Sequence, residues 1–364
     1  MSQTRYDRQS LLPEIGPTGQ RRLERARVLC IGAGGLGCGA LPYLAGAGIG
    51  RITILDGDRV EESNLQRQTL FTEADLEQPK AEAAARHLAA RNSSIEVCAR
   101  HEYLSAANVQ ALFEDHDVII EGSDNFPTKY LASDASVKFG VPLVYASAVG
   151  FETQVTVFDP DCGPCLRCLF PEPPSGWVPN CAEAGVLGPI VGMAGSLQAA
   201  EAIKLLLGET GRSDLQSLAG RMWLLDGRGM QLRQLRIERD PQCPCCSRPP
   251  EEIELIGTAG DHQLDIDPAE VLDQSEVQWI DVREADEAQR ERIPGARHLP
   301  LSQLVAGQCP PPDGDGPYVV YCQRGSRGRH AAALLAQEWQ CEVRNLRGGL
   351  AGWQGERERP RPEA

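Results

Sequence analysis

The sequence predicts an α/β protein in two parts. The first is a Rossmann-like domain with a mostly parallel sheet, and the second is a smaller α/β unit. Three observations carry this. The apolar run Arg27 to Ile31 leads directly into the glycine loop Gly32-Ala33-Gly34-Gly35-Leu36-Gly37. A second run, Arg51 to Leu55, ends at Asp56-Gly57-Asp58 and completes a βαβ unit. Far downstream, Tyr318-Val319-Val320-Tyr321 runs into the tight loop Cys322-Gln323-Arg324-Gly325-Ser326-Arg327, a second strand-loop-helix signal.

The elements follow in order. Residues 1–25 read as a helical arm, and the glycine loop opens a helix reaching about Ala47. Lys80 to Arg91 has helical spacing and many alanines. Val118 to Glu121, Leu143 to Ala146 and Gln154 to Phe158 read as strands, and Ala194 to Leu207 as a long helix. Met222 to Leu225 and Gln231 to Ile237 form a hairpin across Asp226-Gly227-Arg228-Gly229. The stretch Arg248-Pro249-Pro250-Glu251-Glu252 opens a proline-rich, acidic break. This gives a first domain over 1–247, a linker over 248–261 and a second domain over 262–355. In the second domain Pro268 to Leu272 and Ala331 to Trp339 read as helices, and Val277 to Val282 and Glu342 to Leu346 as strands. The charged, proline-rich tail 356–364 reads as disordered.

The 364 residues suffice for two or three cores. A net charge of −15 argues against nucleic acid as a partner, because a phosphate backbone needs a basic surface. The apolar runs read as too short to span a bilayer, and the N-terminus has no apolar signal core, so a cytoplasmic location is expected. In such a compartment the 13 cysteines suggest metal or catalytic thiols rather than disulfides. Cys30, Cys38, Cys98, Cys309 and Cys341 sit in apolar or helical surroundings and read as small core residues.

Gly32, Gly34, Gly35 and Gly37 let backbone N–H groups approach a phosphate at a helix N-terminus, and Asp56 can accept hydrogen bonds from ribose hydroxyls. These residues alone suit an NAD-dependent oxidoreductase equally well. Asn64, Arg67 and Gln68 in Asn64-Leu65-Gln66-Arg67-Gln68, then Lys80, then Asp124 after Gly122-Ser123, break the tie. Two cations and a metal-binding carboxylate converging on phosphate suit attack at phosphorus, which hydride transfer does not require.

With Arg5-Tyr6-x-Arg8-Gln9 and Leu11-Leu12-Pro13, these motifs resemble the MoeB/ThiF family over about residues 4–247. Its members are ubiquitin-activating-type adenylyltransferases for small sulfur-carrier proteins. The resemblance implies their Rossmann-like ubiquitin-activating fold, with Asp56 holding ribose, Arg67 and Lys80 holding phosphates and Asp124 binding Mg²⁺. It also implies a homodimer in which Arg8 reaches the other subunit's site. Asn92-Ser93 departs from the Asn-Pro common in the family, away from the site.

Cys165-x-x-Cys168 and Cys243-x-x-Cys246 suit tetrahedral thiolate zinc, although Cys162 and Cys245 blur the assignment. The family resemblance favours Cys165, Cys168, Cys243 and Cys246 as a structural Zn²⁺ site. Cys181, flanked by glycine and proline, lies where similar proteins carry a cysteine that can engage the activated carrier covalently.

Cys322, at a strand tip with Arg324 and Arg327 beside it, reads as a nucleophile favoured by backbone N–H groups and the helix dipole. Ile280-Asp281-Val282-Arg283, Ile293-Pro294-Gly295-Ala296 and Leu346-x-Gly348-Gly349-x-x-x-Trp353 are similar to the rhodanese family over about 262–355. A phosphatase is the rival reading, but its loop needs one residue more than the four between Cys322 and Arg327.

Together the resemblances imply an enzyme that adenylates the Gly-Gly carboxylate of a ubiquitin-like sulfur carrier with MgATP. A Cys322 persulfide, charged by a sulfane donor such as a cysteine desulfurase, then attacks the acyl-adenylate. Carriers of molybdenum cofactor, thiamine, tRNA thiolation, cysteine or siderophore pathways all fit. A non-catalytic scaffold is the alternative of a different class, yet Arg8, Arg67, Lys80, Asp124 and Cys322 are all present.

Overall fold

The structure, a computed structural model, describes residues 5–174, 184–208, 215–255, 264–272, 277–314, 316–323 and 325–359. These fall into two compact units, the first continuing to residue 255 and the second beginning at 264.

Eight strands build the first unit's sheet: β1 (Arg27–Ile31), β2 (Arg51–Leu55), β3 (Glu96–Arg100), β4 (Val118–Glu121), β5 (Leu143–Val149), β6 (Glu152–Phe158), β7 (Arg221–Asp226) and β8 (Gln231–Arg236). Their order is β3-β2-β1-β4-β5-β6-β7-β8. The five strands β1 to β5 are parallel, with β1 registered on both β2 and β4. The β5–β6, β6–β7 and β7–β8 pairs are antiparallel. Apolar side chains fill β1 and β2 almost end to end, as strands covered on both faces require.

The helix Gly35–Ala47 follows β1, and the helix Gly188–Leu207 packs against it. Glycines allow their close approach. A Cβ on Gly195 would stand 2.1 Å from the Leu36 carbonyl oxygen, and one on Gly39 would stand 2.7 Å from that of Gly192. The long helix starts six residues before the sequence expectation, because Gly188-Pro189 opens it. Proline is well suited to a first helical turn, where its missing N–H has no partner to lose.

This helix also corrects the expectation about apolar length. Its 20 residues, with a mean hydropathy of 1.4, suffice by length and composition to cross a membrane. It is nevertheless packed into the first unit's core, where buried Glu201 accepts from the Leu218 N–H and buried Gln198 donates to the Glu121 and Val144 carbonyls.

Two boundary expectations also change. Residues 248–255, expected as the start of a linker, are held on the first unit. Lys138 donates to the carbonyls of Pro250 and Ile253, and Ile253 is buried beside the paired cysteines. The expected tail is partly ordered too. Arg292 and Glu358 exchange backbone hydrogen bonds and an ion pair of 2.7 Å. Cys30 and Cys38 are core residues as expected, whereas Cys98, Cys309 and Cys341 are only half-buried.

The second unit has β9 (Asp265–Ile266), β10 (Gln278–Asp281), β11 (Arg297–His298), β12 (Tyr318–Tyr321) and β13 (Val343–Leu346). All are parallel, in the order β11-β10-β12-β13-β9. The central strand β12 is wholly buried and runs, through the Cys322 loop, into the helix Ser326–Trp339.

Candidate functional site

The neighbours of β1 are β2 on one side and β4 on the other, so chain connections leave it in opposite directions. Such a reversal opens a crevice beyond the carboxyl ends of the strands. The glycine loop leaves β1 there, Asp56 ends β2, and Gly122-Ser123-Asp124 ends β4.

Two glycines are required by close packing. Gly32 has φ +91°, and a Cβ there would lie 2.8 Å from the Gly122 carbonyl oxygen; one on Gly37 would lie 2.1 Å from the Gly32 oxygen. Gly34 is different. Among the described residues, a Cβ there would meet nothing nearer than the Gln68 side-chain nitrogen at 3.9 Å, so the loop's mouth has room for a ligand. The buried Gln68 Oε1 has no hydrogen-bond partner among the described residues. An orphaned acceptor beside an open glycine at a helix N-terminus fits a nucleotide.

Asp56 ties this loop to β2. Its Oδ2 accepts from the Ala33 N–H at 2.7 Å and its Oδ1 from the Asp58 N–H at 2.8 Å. A carboxylate has about four acceptor positions, which leaves capacity for ribose hydroxyls. Burial pushes the Asp56 carboxyl upward, while nearby Lys80 opposes the shift. Lys80 is itself buried at the start of the helix Lys80–Arg91, with Nζ 3.0 Å from Asp58. Burial presses its ammonium down, but Asp58 and Asp56 outweigh this and hold it above the ordinary lysine value.

Asn64 is buried in a short turn that its side chain caps by accepting from the Glu61 N–H. Arg67 donates to the Ser63 carbonyl at 3.0 Å, and its stem lies 3.6 Å from where a Gly35 Cβ would be. Asp124 is exposed beyond β4, and its charge acts on both Lys80 and Lys129. Arg8 is exposed on the short helix Asp7–Ser10, and no contact among the described residues ties it to the loop.

The strand tip carrying Asp124 rests on a buried ion pair that the sequence reading missed. Lys129 pairs with Glu121 and donates to the Ala146 carbonyl at 2.9 Å, its ammonium 4.8 Å from the centre of the Tyr145 ring. Glu121 accepts from both the N–H and the hydroxyl of Ser123, the residue before Asp124.

The cysteine quartet is assembled. Sγ atoms of Cys165, Cys168, Cys243 and Cys246 all lie within 4.8 Å of one another. Three of the separations are 3.4, 3.5 and 4.0 Å. Four thiolates around a tetrahedral zinc at 2.3 Å would stand about 3.8 Å apart. Backbone N–H groups of Asp240 and Cys245 donate to the sulfurs of Cys168 and Cys243. Exposed Cys162 and buried Cys245 stand outside this group of four. Cys181 lies outside the described residues.

In the second unit Cys322 is 1% exposed at the tip of β12, and the Gly325 N–H donates to its sulfur at 3.0 Å. Gly325 has φ +99°, a conformation that lets the loop turn back over the sulfur. Arg327, expected beside the thiol, has its guanidinium engaged by both Glu287 oxygens at 2.6 and 2.7 Å. Arg324 is outside the described residues. The cation that reaches the cysteine's neighbour is Arg283, which is fully buried. Its guanidinium makes two bonds to Asp281 and donates to the Gln323 side chain at 3.1 Å. The Asp281-Val282-Arg283 run was the available signal, but only the fold brings it to residue 323.

Comparison with known proteins gives the same division. The ThiF family model matches residues 6–245 and the rhodanese-like domain model residues 267–356. A sulfur carrier protein adenylyltransferase of Thermus thermophilus is 46% identical over 69% of this chain and 93% of its own length. The adenylyltransferase and sulfurtransferase MOCS3 of Anopheles gambiae is 39% identical over 96% of this chain and 86% of its own. The probable adenylyltransferase/sulfurtransferase MoeZ of Mycobacterium tuberculosis is 38% identical over 96% and 92%. Among solved structures, Escherichia coli MccB with ATP matches with a TM-score of 0.59 at 24% identity, covering 68% of this chain and 75% of that one, which bears on fold alone.

Proposed function

We infer the reaction from one premise: the chain belongs to the ThiF family and carries a rhodanese-like domain behind it. It is an adenylyltransferase and sulfurtransferase that acts on a sulfur-carrier protein. The observation that carries the mechanism is the convergence of the glycine loop, Asp56, Lys80 and the Asp124 loop on the crevice between β1 and β4.

The carrier's terminal carboxylate attacks the α-phosphorus of ATP. The bond to the bridging oxygen breaks, pyrophosphate leaves, and a carrier acyl-adenylate remains. Gly34 and Gly35 present N–H groups to phosphate, and Asp56 orients the ribose. Arg67 and Lys80 absorb charge that grows on the phosphate oxygens as the bond breaks. Asp124 would hold a magnesium ion, which neutralises the triphosphate when bound. Arg8 acts across a homodimer, a role supported by its exposure and by the lack of any tie to its own loop among the described residues.

Cys322 takes a sulfane sulfur from a donor such as a cysteine desulfurase. The terminal sulfur of that persulfide attacks the acyl carbon, AMP leaves, and the carrier is joined to Cys322 through a disulfide. A second thiol, for which Cys181 is the candidate, attacks the Cys322 sulfur. The carrier thiocarboxylate leaves, and a Cys181–Cys322 disulfide remains for reduction. The loop amide at Gly325 stabilises the Cys322 thiolate in each cycle. The cysteine quartet would hold zinc as a closed structural site, since four thiolates leave no open position. Free cysteines throughout the described residues suit a reducing, cytoplasmic setting.

ATP–pyrophosphate exchange with a panel of Gly-Gly-terminated carriers tests this reading. Carrier-dependent exchange is expected. Absence of exchange with every carrier, from a folded protein supplied with magnesium, would leave only the sulfurtransferase half.

A further inference from the structure

The tripeptide Asp56-Gly57-Asp58 is read by a side chain that the mechanism has not used. The Tyr103 ring lies on Gly57, where a Cβ would stand 2.6 Å from ring atoms, so only glycine fits beneath it. Tyr103 Oη donates to Asp58 Oδ1 at 2.6 Å, while Lys80 Nζ holds Asp58 Oδ2 at 3.0 Å. Asp58 is half exposed, and its backbone N–H is fixed by Asp56. The tyrosine is itself held. Asn108 donates to its carbonyl at 2.9 Å and accepts from the Ser105 N–H at 2.8 Å, and His101 lies 3.4 Å from the Asp56 carbonyl.

We propose that Tyr103 is a positioning residue for nucleotide binding, which clamps Asp58 and thereby aims the Lys80 ammonium at the phosphates. The proposal rests on the adenylation reading. An exposed carboxylate loses its orientation readily, and an ion pair to a wandering partner contributes little. A neutral hydroxyl donor fixes the carboxylate without competing as a second cation would. The ring on Gly57 in turn fixes the height of the hydroxyl. Lys80 then meets ATP already oriented, which spares the cost of ordering it on binding.

Tyr103→Phe removes only the hydroxyl. The readouts are the side-chain NH₃⁺ signal of Lys80 in protein carrying isotope-labelled lysine, and ATP affinity by calorimetry on the full chain. Only four lysines occur, so the spectrum is sparse, and Lys129 supplies an internal control for the fold. Tyr103→Phe is expected to move or broaden the Lys80 signal, leave Lys129 in place and weaken ATP binding about fivefold. Asp58→Asn should move Lys80 further. A Lys80 signal indifferent to Tyr103→Phe overturns the clamp, and a moved signal with unchanged affinity overturns its use in binding. Because affinity is measured without a carrier, failure of carrier-dependent exchange would count against the adenylation reading and not against this one.

Discussion

Removing the Lys129 ammonium tests how the Asp124 loop is built. Glu121 is fully buried, Lys129 is 5% exposed, and the pair has one further acceptor, the Ala146 carbonyl at 2.9 Å. Lys129→Met strands the Glu121 carboxylate in an apolar interior, which costs about 3–5 kcal/mol for a buried pair broken on one side. For a unit of this size that is a fall in melting temperature of about 10 °C. Scanning calorimetry of the full chain can follow it, because the first unit's transition is the one that ATP raises. Glu121→Gln combined with Lys129→Met removes both charges and should recover most of the loss. Loosened Ser123 contacts should also raise the KM for ATP in the single variant. The reasoning is refuted if Lys129→Met costs less than about 1 kcal/mol, or if the double variant is no more stable than the single one.

The other predictions divide among the sites. Cys322→Ala should abolish persulfide formation and thiocarboxylate release while sparing pyrophosphate exchange, and Asp124→Ala should do the reverse; loss of both activities in either folded variant would contradict the division of labour. Elemental analysis should find one zinc per chain, and Cys165→Ser with Cys246→Ser should abolish it; unchanged metal content would remove the quartet from consideration. Burial pushes the Asp75 carboxyl up, but hydrogen bonds from His87 and from the Thr72 N–H and hydroxyl outweigh it and hold it at about 2. Its stabilisation, about 2 kcal/mol by linkage, is therefore present above the ordinary value of 3.8 and is lost as pH falls through about 2. Unfolding titrations should show Asp75→Asn flattening that acid limb, and an unchanged slope would refute the assignment.

The parts of the fold most legible in sequence were those governed by local rules. β1 and β2 are apolar runs closed by glycine and aspartate, and their observed limits coincide with the readings. The C-x-x-C pairs and the strand-tip cysteine were legible because spacing alone marks them. Partnerships across the chain were not. Nothing near Arg327 indicates that Glu287, 40 residues away, takes its guanidinium. Likewise nothing near Lys138 indicates that it anchors Pro250, 112 residues on, which turned an expected linker into part of the first unit. Tyr103 gave no signal, because an exposed tyrosine in a loop matters only once Gly57 and Asp58 lie beneath it. The start of the long helix was misplaced because Gly188-Pro189 reads locally as a breaker, while a helix tolerates both residues in its first turn.

The glycine contact between the helices Gly35–Ala47 and Gly188–Leu207 has a consequence in time. The helix that presents the phosphate loop is synthesised well ahead of the helix braced against it, which emerges some 150 residues later. At about 5–20 residues per second, many seconds of translation separate them. A nascent chain thus carries its nucleotide motif long before it can hold a nucleotide, and ATP capture becomes a sign that the first unit is complete. A chain truncated before Gly188 should fold its early strands without acquiring the ability to bind ATP.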